Sequence, residues 1–373
     1  MKQDDPIPWY EAEQEGNIPS PALLLYPDRV RQNIRTMIRM AGTPDRLWPH
    51  VKTHKTSEIL KLQMEEGIRK FKCATIAEAE MVASCGADQV LLAIQPTGPN
   101  IGRMFRLRKK YPATEISAIV DHEEIIRSIS SEAEKYGVET RLWLDINCGM
   151  DRTGIIPGEE ALHLYTLINH LPFLKAGGLH PYDGHIHEAE LSVRRKLNHN
   201  CYAPVSELIR SIKSHGLPIP SIIAGGTPTM GIFSEMDKLE LSPGTSVLWD
   251  QGYGDAYREM EFVPAAALLT RVISRPNKNL ITIDLGTKAI ASEMPHPRVR
   301  LLGIGEYTVK SHWEEHMVIE TPEAGRFKPG DVLYGIPYHI CPTVARYETW
   351  QVIENHQLKG QWPIIARNRT ITI

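Results

Sequence analysis

The chain is poor in cysteine, and what it has forms no pattern. There are five among 373 residues, Cys73, Cys85, Cys148, Cys201 and Cys341, with no CxxC pair. An odd, widely spaced set argues against a disulfide scaffold and for a reduced, cytoplasmic protein. Long apolar runs are missing too. No stretch reaches the roughly 18 residues of a membrane span. The opening MKQDDPIPWYEAEQEGNIPS has no apolar core of the kind a signal peptide carries. Neither sign of charge is in excess: 42 Lys and Arg stand against 45 Asp and Glu, a net charge of -3. No basic run is long enough to imply a nucleic-acid partner. Internal repeats and low-complexity segments are absent as well. What remains is an ordinary globular composition, 42% hydrophobic and 23% charged. It suffices for one large domain and a smaller one.

Short apolar runs alternate with amphipathic segments through the first two thirds of the chain. PALLLYP, LWPHVKT, KFKCAT, QVLLAIQ, EISAIVD, TRLWLDIN, LKAGGLHPY and SIIAGGT are each followed by a helical pattern. The runs are rich in Leu, Ile and Val without clean alternation, as buried parallel strands are. Eight such units predict a (β/α)8 TIM-type barrel over residues 20–262, with a doubly wound open sheet as the other architecture sharing this order. Polar residues fall just after the strand ends, at Lys52, Thr75, Gln95, Asn147, Tyr182 and Gly225–Thr227, the face where a barrel carries its active site. Beyond residue 262 short strands and turns take over. Residues 1–19 and 263–373 are therefore expected to form an all-β domain.

Several clusters could carry chemistry. PHVKTHK places Lys52 at the end of a short strand beside His50, His54 and Lys55. It reads either as a solvated basic turn or as an amine activated for reaction with a carbonyl, with Lys55 as the other contender. In IIAGGTPTM, the residues Gly225, Gly226 and Thr227 follow a strand, and SPGTSV adds Gly244 and Thr245. Such loops let backbone N–H groups approach a phosphate, although many are only turns. Together with Lys52 they suggest pyridoxal 5'-phosphate. LHPYDGHIHEAE gathers His180, Tyr182, Asp183, His185 and His187, a set suited to acid–base work or to a structural role. Arg152, in DINCGMDRTG, could face a cofactor or substrate carboxylate, or pair with Asp145 or Asp151. In HICPTV, His339 and Cys341 stand two apart, on one face if the segment is extended. Imidazole and thiolate suit an open zinc site; the other reading makes Cys341 a small buried hydrophobe.

The motifs PHVKTHK, CATIAEAE, DINCGMDRTG, AGGTPT, LSPGTSV and HICPTV occur in one order along nearly the whole chain. In that order the chain resembles the D-threonine aldolase and D-serine dehydratase family of fold-type III pyridoxal phosphate enzymes, which share the alanine racemase architecture. The resemblance implies that Lys52 holds the cofactor covalently and Arg152 lies beside its ring. Gly225, Gly226, Thr227, Gly244 and Thr245 would bind its phosphate. Tyr182 would stand near the substrate. His339 and Cys341 would bind a divalent metal next to the substrate β-hydroxyl. It also implies a homodimer and a small-molecule β-hydroxy-D-amino acid as substrate. Two departures stand out. Aldolases of the family read HxDPTV where this chain has HICPTV, and cysteine there is the dehydratase pattern, favouring zinc over manganese or magnesium. His185 and His187 follow Tyr182 at a spacing that is not quite the aldolase one, and Ala345 replaces an asparagine.

A metal-dependent lyase follows from the resemblance. The first reading is D-threonine aldolase-like retro-aldol cleavage to glycine and an aldehyde, with His187 or His185 taking the hydroxyl proton. The alternative is a D-serine or D-3-hydroxyaspartate dehydratase, with Lys52 taking the α-proton, giving a keto acid and ammonia. An alanine racemase-like isomerase ranks below these, since it would leave His339 and Cys341 without a task. So does a non-catalytic cofactor-binding protein, since such proteins are single barrels.

Overall fold

The computed structural model describes residues 7–373. Residues 1–6, the start of the segment expected in the β domain, lie outside the described residues. The chain forms two compact units. One comprises Ile34–Ser246 with Ile365–Ile373; the other takes the described residues through Asn33 and Val247–Ile364.

In the first unit seven strands run parallel in chain order: Lys70–Cys73, Gln89–Leu92, Glu115–Val120, Thr140–Ile146, Leu174–Pro181, Ser221–Ala224 and Glu240–Leu241. Residues 47–50 take the remaining place, since Leu47 bridges Leu241 and His50 bridges Lys72, both in parallel. Trp48 N donates to Leu241 O at 2.8 Å, and Lys72 N donates to Pro49 O at 3.0 Å. Pro49 has no N–H to give, so the segment pairs on both sides without a regular ladder. The architecture is a curled parallel sheet of TIM type, with a mostly-β second unit, as in alanine racemase.

The frame of the barrel differs from expectation by one strand. PALLLYP does not open it. Ala22–Leu25 lies in the second unit, antiparallel to Ala266–Asn277 (Leu23 opposite Leu268) and parallel to Thr349–Glu354 (Leu24 opposite Gln351). All four residues are buried. A strand covered on both faces reads as an unbroken apolar run whether its sheet is parallel or mixed. LWPH is thus first in the ring, SIIA seventh, and Glu240–Leu241 eighth.

Trp48, Leu91, Ile119, Trp143 and Ile223 pack together in the first unit, with the two indoles edge to face at 5.8 Å. The glycines of LKAGGLHPY make this possible. A Cβ on Gly177 would enter the Trp143 ring, and one on Gly178, whose φ is +136°, would lie 1.6 Å from Ser221 O. The last residues fold back on the same unit. Ala366 N donates to Lys55 O at 3.1 Å. The buried Glu80 carboxylate accepts from Thr372 N at 3.0 Å and Ile373 N at 3.2 Å, and Arg103 binds Ile373 O at 2.7 Å.

Candidate active site

Lys52 sits on a 3-10 turn, Val51–Thr53, that follows the first strand position, not on the strand itself. His50 starts the turn, its Nδ1 accepting from Lys52 N at 3.3 Å. The half-buried Lys52 side chain opens on a cavity of 400 Å³, with Lys72, Gln95, Arg152, His180 and Tyr182 among its walls. Lys55 does not line it. Its backbone has a positive φ of 53°, and its ammonium is paired with the buried Glu78 carboxylate. Glu78 also accepts from Ala74 N at 2.6 Å, while its own N–H caps on Thr75 Oγ1 at 3.1 Å. The capping turn of Ile76–Ser84 thus holds Lys55 away from the cavity.

Tyr182 has cations on its ring: Arg152 at 5.0 Å and Lys72 at 5.2 Å from the centroid. His180 stacks nearly parallel to it, with centroids 6.3 Å apart. Asp145 is engaged by His180, Nδ1 to Oδ1 at 2.7 Å, and Asp151 accepts from Asn147 Nδ2 at 2.9 Å. Burial, then the Lys72 charge, depresses the His180 pKa below its ordinary value. Burial, then Lys52 and Lys72, does the same to His50 more strongly. Both imidazoles are thereby kept neutral, as acceptors or proton shuttles.

The two glycine loops meet through one hydroxyl. Thr227 Oγ1 accepts from Gly244 N at 3.1 Å and Thr245 N at 3.2 Å. Gly225 has a φ of +75°, and a Cβ there would strike Phe233 at 2.7 Å. Gly226 N donates to Thr229 Oγ1 at 3.3 Å, which donates on to Asp183 at 3.0 Å. These loops follow the seventh and eighth strands, the usual phosphate position of this fold. A phosphorylated aldehyde needs an amine, a polar-walled cavity and an anion cradle. Lys52 and the 400 Å³ cavity supply the first two and fit the group, and the paired loops, in the same unit but not on the cavity wall, are the candidates for the third.

The histidines after Tyr182 lie elsewhere. His187 is exposed. His185 packs on Gly149 of the GMDRTG loop, its Nε2 3.3 Å from where a Cβ would be, and its buried Nδ1 has no hydrogen-bond partner. Neither is among the residues that line the cavity around Lys52.

His339 and Cys341 belong to the second unit. The segment is not extended: His339 caps the short helix Ile340–Val344, which contains Cys341. The two side chains still meet, through a hydrogen bond between imidazole and thiol. His339 Nδ1 also faces Glu293 Oε1 at 2.6 Å, the carboxylate–imidazole pairing that orients metal-bound histidines. Burial works to lower the His339 pKa, but Cys341, Glu293 and Asp250 outweigh it and push it up to about 9. Among the described residues no group of three or more His, Cys, Asp or Glu is arranged to hold an ion. The pair fits a metal as two donors, and further ligands would come from water or substrate.

The chain matches the family model described as Alanine racemase, N-terminal domain, over residues 26–248. It belongs to that family. A second model, for a serine dehydratase domain, matches residues 265–353. Similar proteins include a 3-hydroxy-D-aspartate aldolase from Paracoccus denitrificans (strain Pd 1222), 28% identical over 97% of this chain and 96% of that one. A D-threo-3-hydroxyaspartate dehydratase from Delftia sp. (strain HT23) is 24% identical over 90% and 94%. The crystal structure of D-threonine aldolase from Filomicrobium marinum superposes with a TM-score of 0.86, at 23% identity, over 94% of this chain and 95% of that one. No helix among the described residues is long and apolar enough to cross a membrane.

For this member of the alanine racemase N-terminal domain family, sequence reasoning missed Lys72 and Asp145 as cavity-lining groups and Ser242 as the partner of Lys72. In the sequence KFKCAT stands only as one of the strand runs, and neither of its lysines is singled out. A lysine at an inward position of a barrel strand is the available signal, but it becomes visible only when the strand is known to close a ring. His180 was one of five titratable groups in a motif, and nothing in the motif singled it out.

Proposed function

We propose that this protein is a pyridoxal phosphate- and divalent metal-dependent lyase acting on β-hydroxy-D-amino acids, by D-threonine aldolase-like retro-aldol cleavage to glycine and an aldehyde. The observation that carries the reading is the convergence of Lys52, Arg152 and Tyr182 on one cavity, with the loops of Gly225–Thr227 and Gly244–Thr245 tied together in the same unit. Relatives named as aldolases and dehydratases, which are lyases, support it.

Bound there, pyridoxal phosphate would supply an electron sink that weakens the bonds to Cα. The chain's own residues do the rest. Lys52 provides the amine that anchors the cofactor and can hold the α-proton. Arg152 binds negative charge on the open side of the cavity, and Tyr182, fixed between cations, orients the substrate. Gly225, Gly226, Thr227, Gly244 and Thr245 hold phosphate. His187 or His185 would take the β-hydroxyl proton, although neither lines the cavity around Lys52. His339 and Cys341, in the second unit, would hold the metal, with zinc the best match to imidazole and thiolate, and the metal would supply Lewis acidity.

Cys341 favours a second reading, dehydration of D-serine or D-3-hydroxyaspartate with Lys52 as the α-base. Product analysis decides between them. D-threonine and D-3-hydroxyaspartate are incubated with the protein, with and without chelator. Glycine plus an aldehyde, lost on chelation, is the expected result. A keto acid plus ammonia would replace the aldolase reading with the dehydratase one, and no turnover of any β-hydroxy-D-amino acid would remove both.

A further inference from the structure

The strand Lys70–Cys73 buries Lys72 within the first unit, 2% exposed. Its Nζ lies 2.5 Å from Ser242 Oγ and 3.4 Å from His180 Nε2. Ser242 gives its own proton to Gly225 O at 2.8 Å, so its oxygen is left to accept from Lys72. His180 directs Nδ1 at Asp145. A proton held there makes Nε2 an acceptor as well. An ammonium has three N–H bonds to place. Ser242 and His180 take two of them, and Lys72 borders the cavity that Lys52 shares.

A buried amine hydrogen-bonded to a hydroxyl and an imidazole, with the Tyr182 ring 5.2 Å away, is still costly to the fold, and a methionine would fill the same space without that cost. A role in the cavity accounts for its presence. The charged groups that face it are Lys52 and Arg152, of its own sign, and Asp145 and Asp183, of the opposite sign, with His50 and His180 alongside. We propose that Lys72 is a second working amine of this pocket: Lys52 is the covalent anchor, and Lys72, held by Ser242 and His180, places its third N–H on the molecule bound there. The inference rests on the reading of the cavity as a cofactor site. Burial first, then Lys52, brings the Lys72 pKa down to about 7 against the pull of Asp145 and Asp183. The donor is therefore an amine that holds its proton less firmly than a free lysine does.

Two measurements test this. The first needs no cofactor. A lysine whose pKa falls on folding destabilises the fold while the amine is charged, and stability recovers as pH rises toward that of a free lysine. The thermal midpoint of Lys72→Met should therefore exceed that of the wild type by most near pH 6, with the difference shrinking toward pH 10, a window of about four units. A difference that does not change with pH overturns the proposal. The second follows the visible absorbance of the cofactor-loaded protein with pH. The wild type should show an inflection near neutrality. Lys72→Met and Lys72→Arg should both lose it, the arginine variant because its charge is fixed. The same inflection in all three overturns the proposal. Borohydride reduction with peptide mass spectrometry separates the two readings. Cofactor fixed on Lys52 supports the assignment of roles, and cofactor fixed on Lys72 overturns it. If none is fixed anywhere, the reading of the cavity fails, and the cofactor-free titration still decides whether Lys72 titrates as proposed.

Discussion

At the scale of single residues, PHVKTHK holds two lysines with different surroundings. Lys52 faces the cavity, whereas Lys55 is committed to Glu78. Lys52→Met is expected to abolish covalent attachment of the cofactor and to lower turnover by more than about a hundredfold, measured by mass spectrometry and by glycine release. Lys55→Met should keep the attachment but lose about 3 kcal/mol of stability, because the Glu78 carboxylate is left buried without its partner; chemical denaturation reads this. Both lysines were legible as candidates from the sequence, since each stands in a run of cations beside an apolar strand. What separates them is a positive φ at Lys55 and a helix cap at Thr75, neither of which spacing reveals. Lys72 was illegible for the opposite reason: its neighbours along the chain say nothing of Ser242 and His180, which reach it from across the ring.

At the scale of elements, the joint between the two glycine loops is the feature most open to test. Thr227→Val removes the acceptor for Gly244 N and Thr245 N. The loss of these two bonds, at about 1 kcal/mol each, corresponds to a roughly thirtyfold weaker cofactor affinity. Thr227→Ser, which keeps the hydroxyl, should restore it; equal affinity for the valine and serine variants in a fluorescence titration would count against a role for this joint. Gly178→Ala should cost more than about 4 kcal/mol, since its Cβ would meet Ser221 O between paired strands. The strands themselves were readable as apolar runs, and their number was right. Their assignment slipped by one because Ala22–Leu25 is as thoroughly buried in its mixed sheet as any barrel strand. Glu240–Leu241 was invisible for its length, two residues being too few for any periodicity.

At the scale of the whole molecule, the first unit buries imidazoles that must remain neutral. His54 is lowered from 6.5 to about 3, by burial first, and its Nδ1 accepts from Thr56 N at 3.1 Å; His50 and His180 are lowered as well. For each, the unfolded chain binds a proton that the folded one refuses, so stability is lost as pH falls below the ordinary histidine value. The slope reaches about 1.4 kcal/mol per pH unit for each histidine. Denaturation midpoints should therefore drop between about pH 6.5 and pH 4, and His54→Asn should flatten that drop. The two-unit organisation was legible from the change of pattern after residue 262, but the return of Ile365–Ile373 to the first unit was not, because these residues follow a strand of the second. Glu80, Arg103 and Lys55 O meet partners within Ile365–Ile373. During synthesis those partners emerge after Val247–Ile364 of the second unit. The rim beside Lys55 is therefore finished only after the second unit has been made, so completion of the first unit is coupled in time to synthesis of the second.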